Sequence, residues 1–167
     1  MYYFVTGGDW MKKGELDNVD LFSMILAGSI HDHEHPGYNN LYMINTSHEF
    51  AIWYNDLSVL ENHHVASSFK LMKSEKKLNP LAVLTPEVQK DIRKRVCSMV
   101  LATDMSKHFG DLGKFKLKVS GENFDPSGED KMDCMNLAIH MADISNPSKK
   151  WSISLHWIEI LFEEFFA

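Results

Sequence analysis

The sequence predicts an all-α fold of roughly six or seven helices. Three observations carry that expectation. Apolar residues recur at three- and four-residue spacing along most of the 167 residues. Caps and breakers punctuate those runs. No run of alternating strand pattern, internal repeat or low-complexity segment interrupts them. From Glu15, the positions Leu16, Val19, Phe22, Leu26 and Ile30 keep helical spacing. That helix carries His31 and Asp32 at its end, because Pro36-Gly37 breaks it. Thr46-Ser47-His48-Glu49 reads as a capping box opening a short helix to about Tyr54. Ser58-Val59-Leu60-Glu61 reads as a second one, opening a helix to about Glu75.

Residues 78–84, with Pro80, form a linker. Thr85-Pro86-Glu87 is a helix start, with a hydroxyl cap and proline at the first helical position. Val88, Ile92, Val96, Met99 and Val100 give that helix a buried face, running to about Phe109. Residues 120–129 hold Gly121, Pro126 and Gly128 and read as a surface loop. A helix from about Asp130 to Ile144 buries Met135, Leu137, Ala138 and Met141 and stops at Asn146-Pro147. A last helix from Pro147 carries Trp151, Leu155, Ile158, Leu161, Phe162 and Phe165. Residues 1–14, with Tyr2 to Val5 and Gly7-Gly8, form a poorly defined start, and the last apolar face is cut in mid-pattern at Phe165-Phe166-Ala167. The expectation is a bundle incomplete at both ends.

With 44% hydrophobic and 24% charged residues the chain is globular rather than disordered. A domain of this length buries roughly 70% of its unfolded surface and needs no disulfide staples. The net charge of −6 argues against a sequence-independent nucleic-acid binder, which is usually basic. Cys97 and Cys134 cannot build a disulfide framework, so a reducing, cytoplasmic setting is expected. No apolar run reaches membrane-span length and no secretory signal opens the chain. Asn45-Thr46-Ser47 matches a glycosylation pattern that, without a signal, is a coincidence.

Chemistry is sought among the nine histidines, because four of them (His31, His33, His35 and His48) crowd one stretch. On a helix, His31 and His35 share a face one turn apart, with Asp32 reaching the same ion. Imidazole suits zinc and carboxylate suits magnesium, manganese or a bridging role, so His-Asp is a natural half-site for paired metals. A solvated polar helix end is the alternative. Asp143 stands among apolar neighbours with His140 one turn before it, costly for a carboxylate unless it is paired or metal-bound. A salt bridge or helix cap is the alternative there. Glu61 has a capping role available with Ser58, and the adjacent His63 and His64 point about 100° apart, too far to face one ion. Asp104 and His108 have the spacing of a helix surface pair, and the Thr103 hydroxyl has the option of bonding back to the preceding turn.

The order and wording of these stretches resemble the class I cyclic nucleotide phosphodiesterase catalytic domain. The runs are His31-Asp32-His33-Glu34-His35-Pro36-Gly37, Tyr54-Asn55-Asp56 with residues 58–64, residues 101–108, residues 142–147 and Glu163-Glu164-Phe165-Phe166. The resemblance covers about residues 15–167, as the central part of such a domain, and is weak across 112–128. It implies a compact helical bundle of the His-Asp metal phosphohydrolase kind. It implies that His31, Asp32 and Asp143 hold metal, with Asp32 shared between two divalent ions, zinc and magnesium, with manganese an alternative. It implies that His35, Glu61 and Thr103 hold the waters of the second ion, and that Asn146 and Met105 line the nucleotide pocket. The implied reaction is hydrolysis of cyclic AMP or cyclic GMP to the nucleoside 5′-monophosphate by a hydroxide held between the metals.

The sequence departs from the family pattern at two points, one at each end. A His-Asn-x-x-His motif upstream supplies the general acid and a zinc ligand in the family, and no histidine precedes His31 here. The general acid is therefore absent from this chain, as are the downstream glutamine and phenylalanine that grip the purine. The resemblance thus implies a phosphodiesterase in the complete parent protein and an inactive segment alone. The other readings are a catalytically dead relative serving as a metal-binding or interaction module, and a different His-Asp metal hydrolase. Cyclic nucleotide is the expected partner, with no nucleic acid and no membrane span.

Overall fold

The computed structural model describes residue 6, residues 10–75, residue 77 and residues 79–166. Expectations for Tyr2 to Val5, Gly7-Gly8, Leu78 and Ala167 lie outside the described residues. Among those described, the chain is helical and no strand occurs. The order is α1 (Trp10–Lys13), α2 (Asn18–Ile30), α3 (Asn40–Asn45), α4 (Glu49–Tyr54), α5 (Val59–Ser74), α6 (Pro86–Leu101), α7 (His108–Val119), α8 (Lys131–Asp143) and α9 (Trp151–Phe165). Single 3-10 turns stand at Met105–Lys107 and Asn146–Ser148.

Helix α6 is the axis of the bundle and packs against α2, α5 and α8. Its Ile92, Val96, Met99 and Val100 are buried with Met24 and Ala27 of α2, Val65 of α5 and Met135, Ala138 and Ile139 of α8. Each such valine, isoleucine or methionine side chain, fully removed from water, contributes about 1.5–3 kcal/mol. A smaller core of Met43, Ala51, Val59 and Leu60 ties α3 and α4 to the start of α5. The larger core fixes the ends of α2 and α8 side by side, and the smaller one fixes the start of α5 near them.

Several local expectations are corrected. On α2 the fully buried positions are Asp20, Ser23, Met24 and Ala27, while Leu16, Val19, Phe22, Leu26 and Ile30 are partly buried around them. Small residues let α2 approach α6 closely, and the larger ones spread to either side. Asp20 is neutralised by Arg95 and by Lys131 at 3.3 Å, and forms a capping box with Asp17. Thr46 closes α3 instead of opening α4, whose cap is the His48 ring, accepting from the Phe50 amide at 3.2 Å. Ser58 has a left-handed backbone (φ 44°) and makes no side-chain cap; its hydroxyl donates to Asp104 at 2.7 Å. The Asn40 side-chain oxygen Oδ1 accepts from the Leu60 amide at 2.9 Å, doing the capping that Ser58 does not.

Helix α6 ends at Leu101, not Phe109. Asp104 caps the following 3-10 turn through Ser106 and does not pair with His108. His108 instead meets His140 of α8, with Nδ1 and Nε2 at 2.8 Å. Helix α7 was not expected, nor was α3. On α8, Met135 and Ala138 are buried as expected, but Ile139 and His140 take the places given to Leu137 and Met141, and Met141 is exposed. Helix α9 begins at Trp151, after Asn146-Pro147-Ser148 has formed its own turn, and its apolar side chains are largely exposed.

Candidate metal centre

Two helix C-termini converge here. His31 is the C-cap of α2, and Asp143 is the last residue of α8. Unpaired carbonyls give both ends a negative partial charge. The His31 Nδ1 lies 2.9 Å from the Gly28 carbonyl, which can only accept, so Nδ1 carries a proton. Nε2 then faces Asp32 Oδ2 and Asp143 Oδ1, each at 3.3 Å. A bare nitrogen lone pair opposed to two carboxylates between two negative helix ends is repulsive. It demands a second proton or a metal cation. Accordingly the Asp143 carboxylate, against a lowering effect of burial, pushes the His31 pKa up to about 9, with Asp32 adding to the rise.

The ligand atoms of His31, Asp32 and Asp143 all lie within 4.8 Å of one another, and among the described residues they form the one such His, Cys, Asp or Glu group. One imidazole and two carboxylates suit zinc or manganese and, for the carboxylates, magnesium. The donor set therefore fits a divalent ion. His31 and Asp143 are half-buried, whereas Asp32 is 63% exposed.

The backbone turns immediately after His31. The His33 amide donates to Ile30 and the His35 amide to Asp32, and Glu34 (φ 60°) and Gly37 (φ 81°) both sit in the left-handed region. Gly37 suits that position; Glu34 carries strain there. The turn takes His35 off the helix, so it does not share a helical face with His31. The His35 ring stacks on His64 with centroids 5.7 Å apart, its Nδ1 accepts from the Gly37 amide at 3.1 Å, and its Nε2 lies 4.0 Å from Glu164 of α9.

The other expected residues are placed as follows. Glu61, in the first turn of α5, accepts twice from the Asn40 amide at 3.0 and 3.2 Å, and burial pushes its carboxyl pKa up. Thr103 is buried just past α6, its hydroxyl donating back to Val100 at 2.8 Å as its sequence position allowed. Met105 is exposed in the next turn. Asn146 opens the turn after Asp143 and accepts from Lys149 at 2.6 Å. None of these belongs to the three-residue ligand group. His48, within the histidine-rich stretch, only caps α4.

Sequence reasoning missed the groups that hold the turn. His63 Nε2 donates to Glu34 at 2.9 Å, and His64 Nδ1 donates to the His33 carbonyl at 2.7 Å. Adjacency rightly kept both from one ion but did not reveal a shared target. A cavity of about 240 Å³ opens elsewhere, between α7 and α8 beside His108 and His140, and none of its lining residues is a member of the ligand group.

The family model of the 3′5′-cyclic nucleotide phosphodiesterase matches residues 1–167. The chain is 43% identical over 151 residues to the probable 3′,5′-cyclic phosphodiesterase pde-1 of Caenorhabditis elegans, covering 90% of this chain and 22% of that protein. It is 41% identical to the dual specificity calcium/calmodulin-dependent 3′,5′-cyclic nucleotide phosphodiesterase 1B of Bos taurus and 42% identical to that of Homo sapiens, covering 90% of this chain and 27% of each. The chain thus spans 22–27% of the length of these curated relatives.

Proposed function

This chain belongs to the 3′,5′-cyclic nucleotide phosphodiesterase family, and on that premise we propose that it supplies the metal-holding part of a site that hydrolyses 3′,5′-cyclic nucleotides to nucleoside 5′-monophosphates. The observation that carries the reading is the His31 lone pair directed between Asp32 and Asp143 at 3.3 Å from each.

In this reading His31, Asp32 and Asp143 hold a zinc ion. Asp32 would also serve a second ion, magnesium or manganese, and His35, Glu61 and Thr103 are the side chains that would hold its water. When bound, such a metal pair neutralises phosphate charge and makes water a nucleophile at neutral pH. The chain's own residues orient and hold protons. The Gly28 carbonyl keeps the His31 proton on Nδ1, so that Nε2 is the ligand atom. Asn40 fixes the Glu61 carboxyl through both its oxygens. Thr103, its proton donated to the Val100 carbonyl, keeps both hydroxyl lone pairs as acceptors. Asn146 and Met105, on the turns after α8 and α6, line the nucleotide pocket. The reaction forms a water-oxygen bond to phosphorus, breaks the bond from phosphorus to O3′, and delivers a proton to O3′. No residue of this chain is assigned that last transfer, since no histidine precedes His31. No helix among the described residues is long and apolar enough to cross a membrane. Cys97 and Cys134 are free thiols, which supports a reducing, cytosolic setting.

The test is zinc affinity of the purified chain, read by competition with a chromophoric chelator. Asp143→Asn and His31→Asn are each expected to weaken zinc binding at least about tenfold. Wild-type affinity in Asp143→Asn would overturn the ligand assignment.

A further inference from the structure

The turn after α2 contains two of the groups proposed to hold metal or its waters, Asp32 and His35, yet it is short and strained at Glu34 (φ 60°). Among the described residues, its hydrogen bonds to α5 come from two consecutive histidines. His63 and His64 are 8% and 1% exposed. Neighbours on a helix diverge by about 100°, so they reach different points. His63 stacks on Phe50 of α4 with ring centroids 3.7 Å apart and reaches the Glu34 carboxylate with Nε2 at 2.9 Å. His64 reaches the His33 carbonyl with Nδ1 at 2.7 Å and lays its ring along that of His35. A carboxylate and a carbonyl both accept, so each histidine donates, and each from a different ring nitrogen.

We propose that His63 and His64 are positioning residues that clamp the 31–37 turn at two points, the Glu34 side chain and the His33 backbone, and thereby set Asp32 and His35 for metal. This deepens the proposed metal site and rests on that reading. His63 holds the residue whose backbone is strained, and α4 backs it through Phe50. His64 holds the preceding peptide and limits the rotation of the His35 ring. Without either, the turn can relax toward ordinary backbone angles and carry Asp32 away from His31.

The two donors differ in a way that substitutions can separate. An asparagine amide nitrogen sits where Nδ1 does, and a glutamine amide nitrogen where Nε2 does. Histidine 63 should therefore be replaced by glutamine without harm but not by asparagine, and histidine 64 the reverse. The experiment compares His63→Gln, His63→Asn, His64→Asn and His64→Gln in the purified chain. It measures zinc affinity by chelator competition and amide hydrogen exchange of residues 31–37 without metal. His63→Gln and His64→Asn are expected within about threefold of wild type, whereas His63→Asn and His64→Gln should bind zinc about 10–100-fold more weakly and exchange faster in 31–37.

A loss that follows side-chain size, equal for both variants at a position, or no loss in any variant, overturns the clamp. Glu34→Ala removes a 55% exposed partner and leaves the α5 packing intact, so it serves if a histidine variant fails to fold. It should match His63→Asn, and the double variant should add nothing further. Full additivity overturns the Glu34 half. Failure of the metal reading looks different: wild type and Asp143→Asn then bind zinc equally poorly, and the crossed exchange pattern alone supports the clamp or, if absent, overturns it.

Discussion

Asp20 has no exposed surface on α2, and two cations from other helices, Arg95 of α6 and Lys131 of α8, meet its carboxylate. Three helices are thereby joined at one buried charge. Asp20→Ala leaves Arg95 to Asp91 and Lys131 to the Glu15 carbonyl, so what is lost is the set of charge-assisted hydrogen bonds to a buried carboxylate, worth about 1.5–3 kcal/mol each. The urea midpoint should fall accordingly at an unchanged slope, and an unmoved midpoint would show that the cations simply turn to solvent. His64 gives a second residue-scale test, of pH. Burial, partly offset by the His33 carbonyl, pushes its pKa from 6.5 down to about 4. The unfolded chain then binds more protons between those values, so stability is complete above pH 6.5 and is lost as pH falls through about 4. Burial lowers His140 in the same direction. The melting temperature of the metal-free chain should drop from pH 6.5 to 4.5, with His64 accounting for up to roughly 3 kcal/mol. His64→Asn should flatten that acid limb; an unaltered limb would place its origin elsewhere.

The elements differ in how much apolar surface they hide, and stability should follow. Helix α6 buries Ile92, Val96, Met99 and Val100 against three other helices. Its spacing and its Pro86 start were legible because propensity, periodicity and tertiary burial all agree there, although the expected Thr85 hydroxyl cap does not form. Helix α9 is the opposite case. Trp151, Phe162, Phe165 and Phe166 are each more than half exposed, and Ser154 is its buried residue. The apolar pattern predicted a helix correctly, but periodicity does not say what covers it. Amide exchange should accordingly be slowest in α6 and much faster in α9; equal protection would mean that α9 is held by contacts beyond those seen. Short α3 escaped the sequence reading because six residues give no period to detect, and α7 because Phe109 and Leu117, both exposed, do not form a buried stripe. The two expected capping boxes failed for other reasons: Thr46 closes α3, its hydroxyl donating to the Tyr42 carbonyl at 2.7 Å, and Ser58 is drawn to a distant partner. The motif is local, whereas Asn40 and Asp104 come from distant elements and offered α5 and Ser58 better partners.

Across the whole molecule, the fold brings together side chains that lie far apart in sequence. His31 and Asp32 were marked as a metal half-site by residue type alone, and Asp143 by the cost of an unpaired carboxylate on an apolar helix. Their union required knowing that α2 and α8 pack side by side, which the family resemblance implied and spacing did not. The turn that carries His35 off the helix was invisible to periodicity, because Glu34 adopts a left-handed backbone that its type disfavours. These geometries make a prediction about the chain as a unit. It carries the convergent His31, Asp32 and Asp143 group, hydrogen-bonded Glu61 and Thr103, and no histidine ahead of His31. Metal binding and turnover should therefore separate. Loss of a general acid lowers a rate by about 10²–10⁴-fold, so the purified 167-residue chain should take up zinc and yet hydrolyse cyclic AMP and cyclic GMP at least about a hundredfold more slowly than a complete catalytic domain of a relative. The comparison is made at saturating zinc and magnesium, following release of the nucleoside 5′-monophosphate. Turnover equal to the complete domain, abolished by Asp143→Asn, would mean that a group within these residues protonates O3′, and the search would begin with the histidines nearest His31.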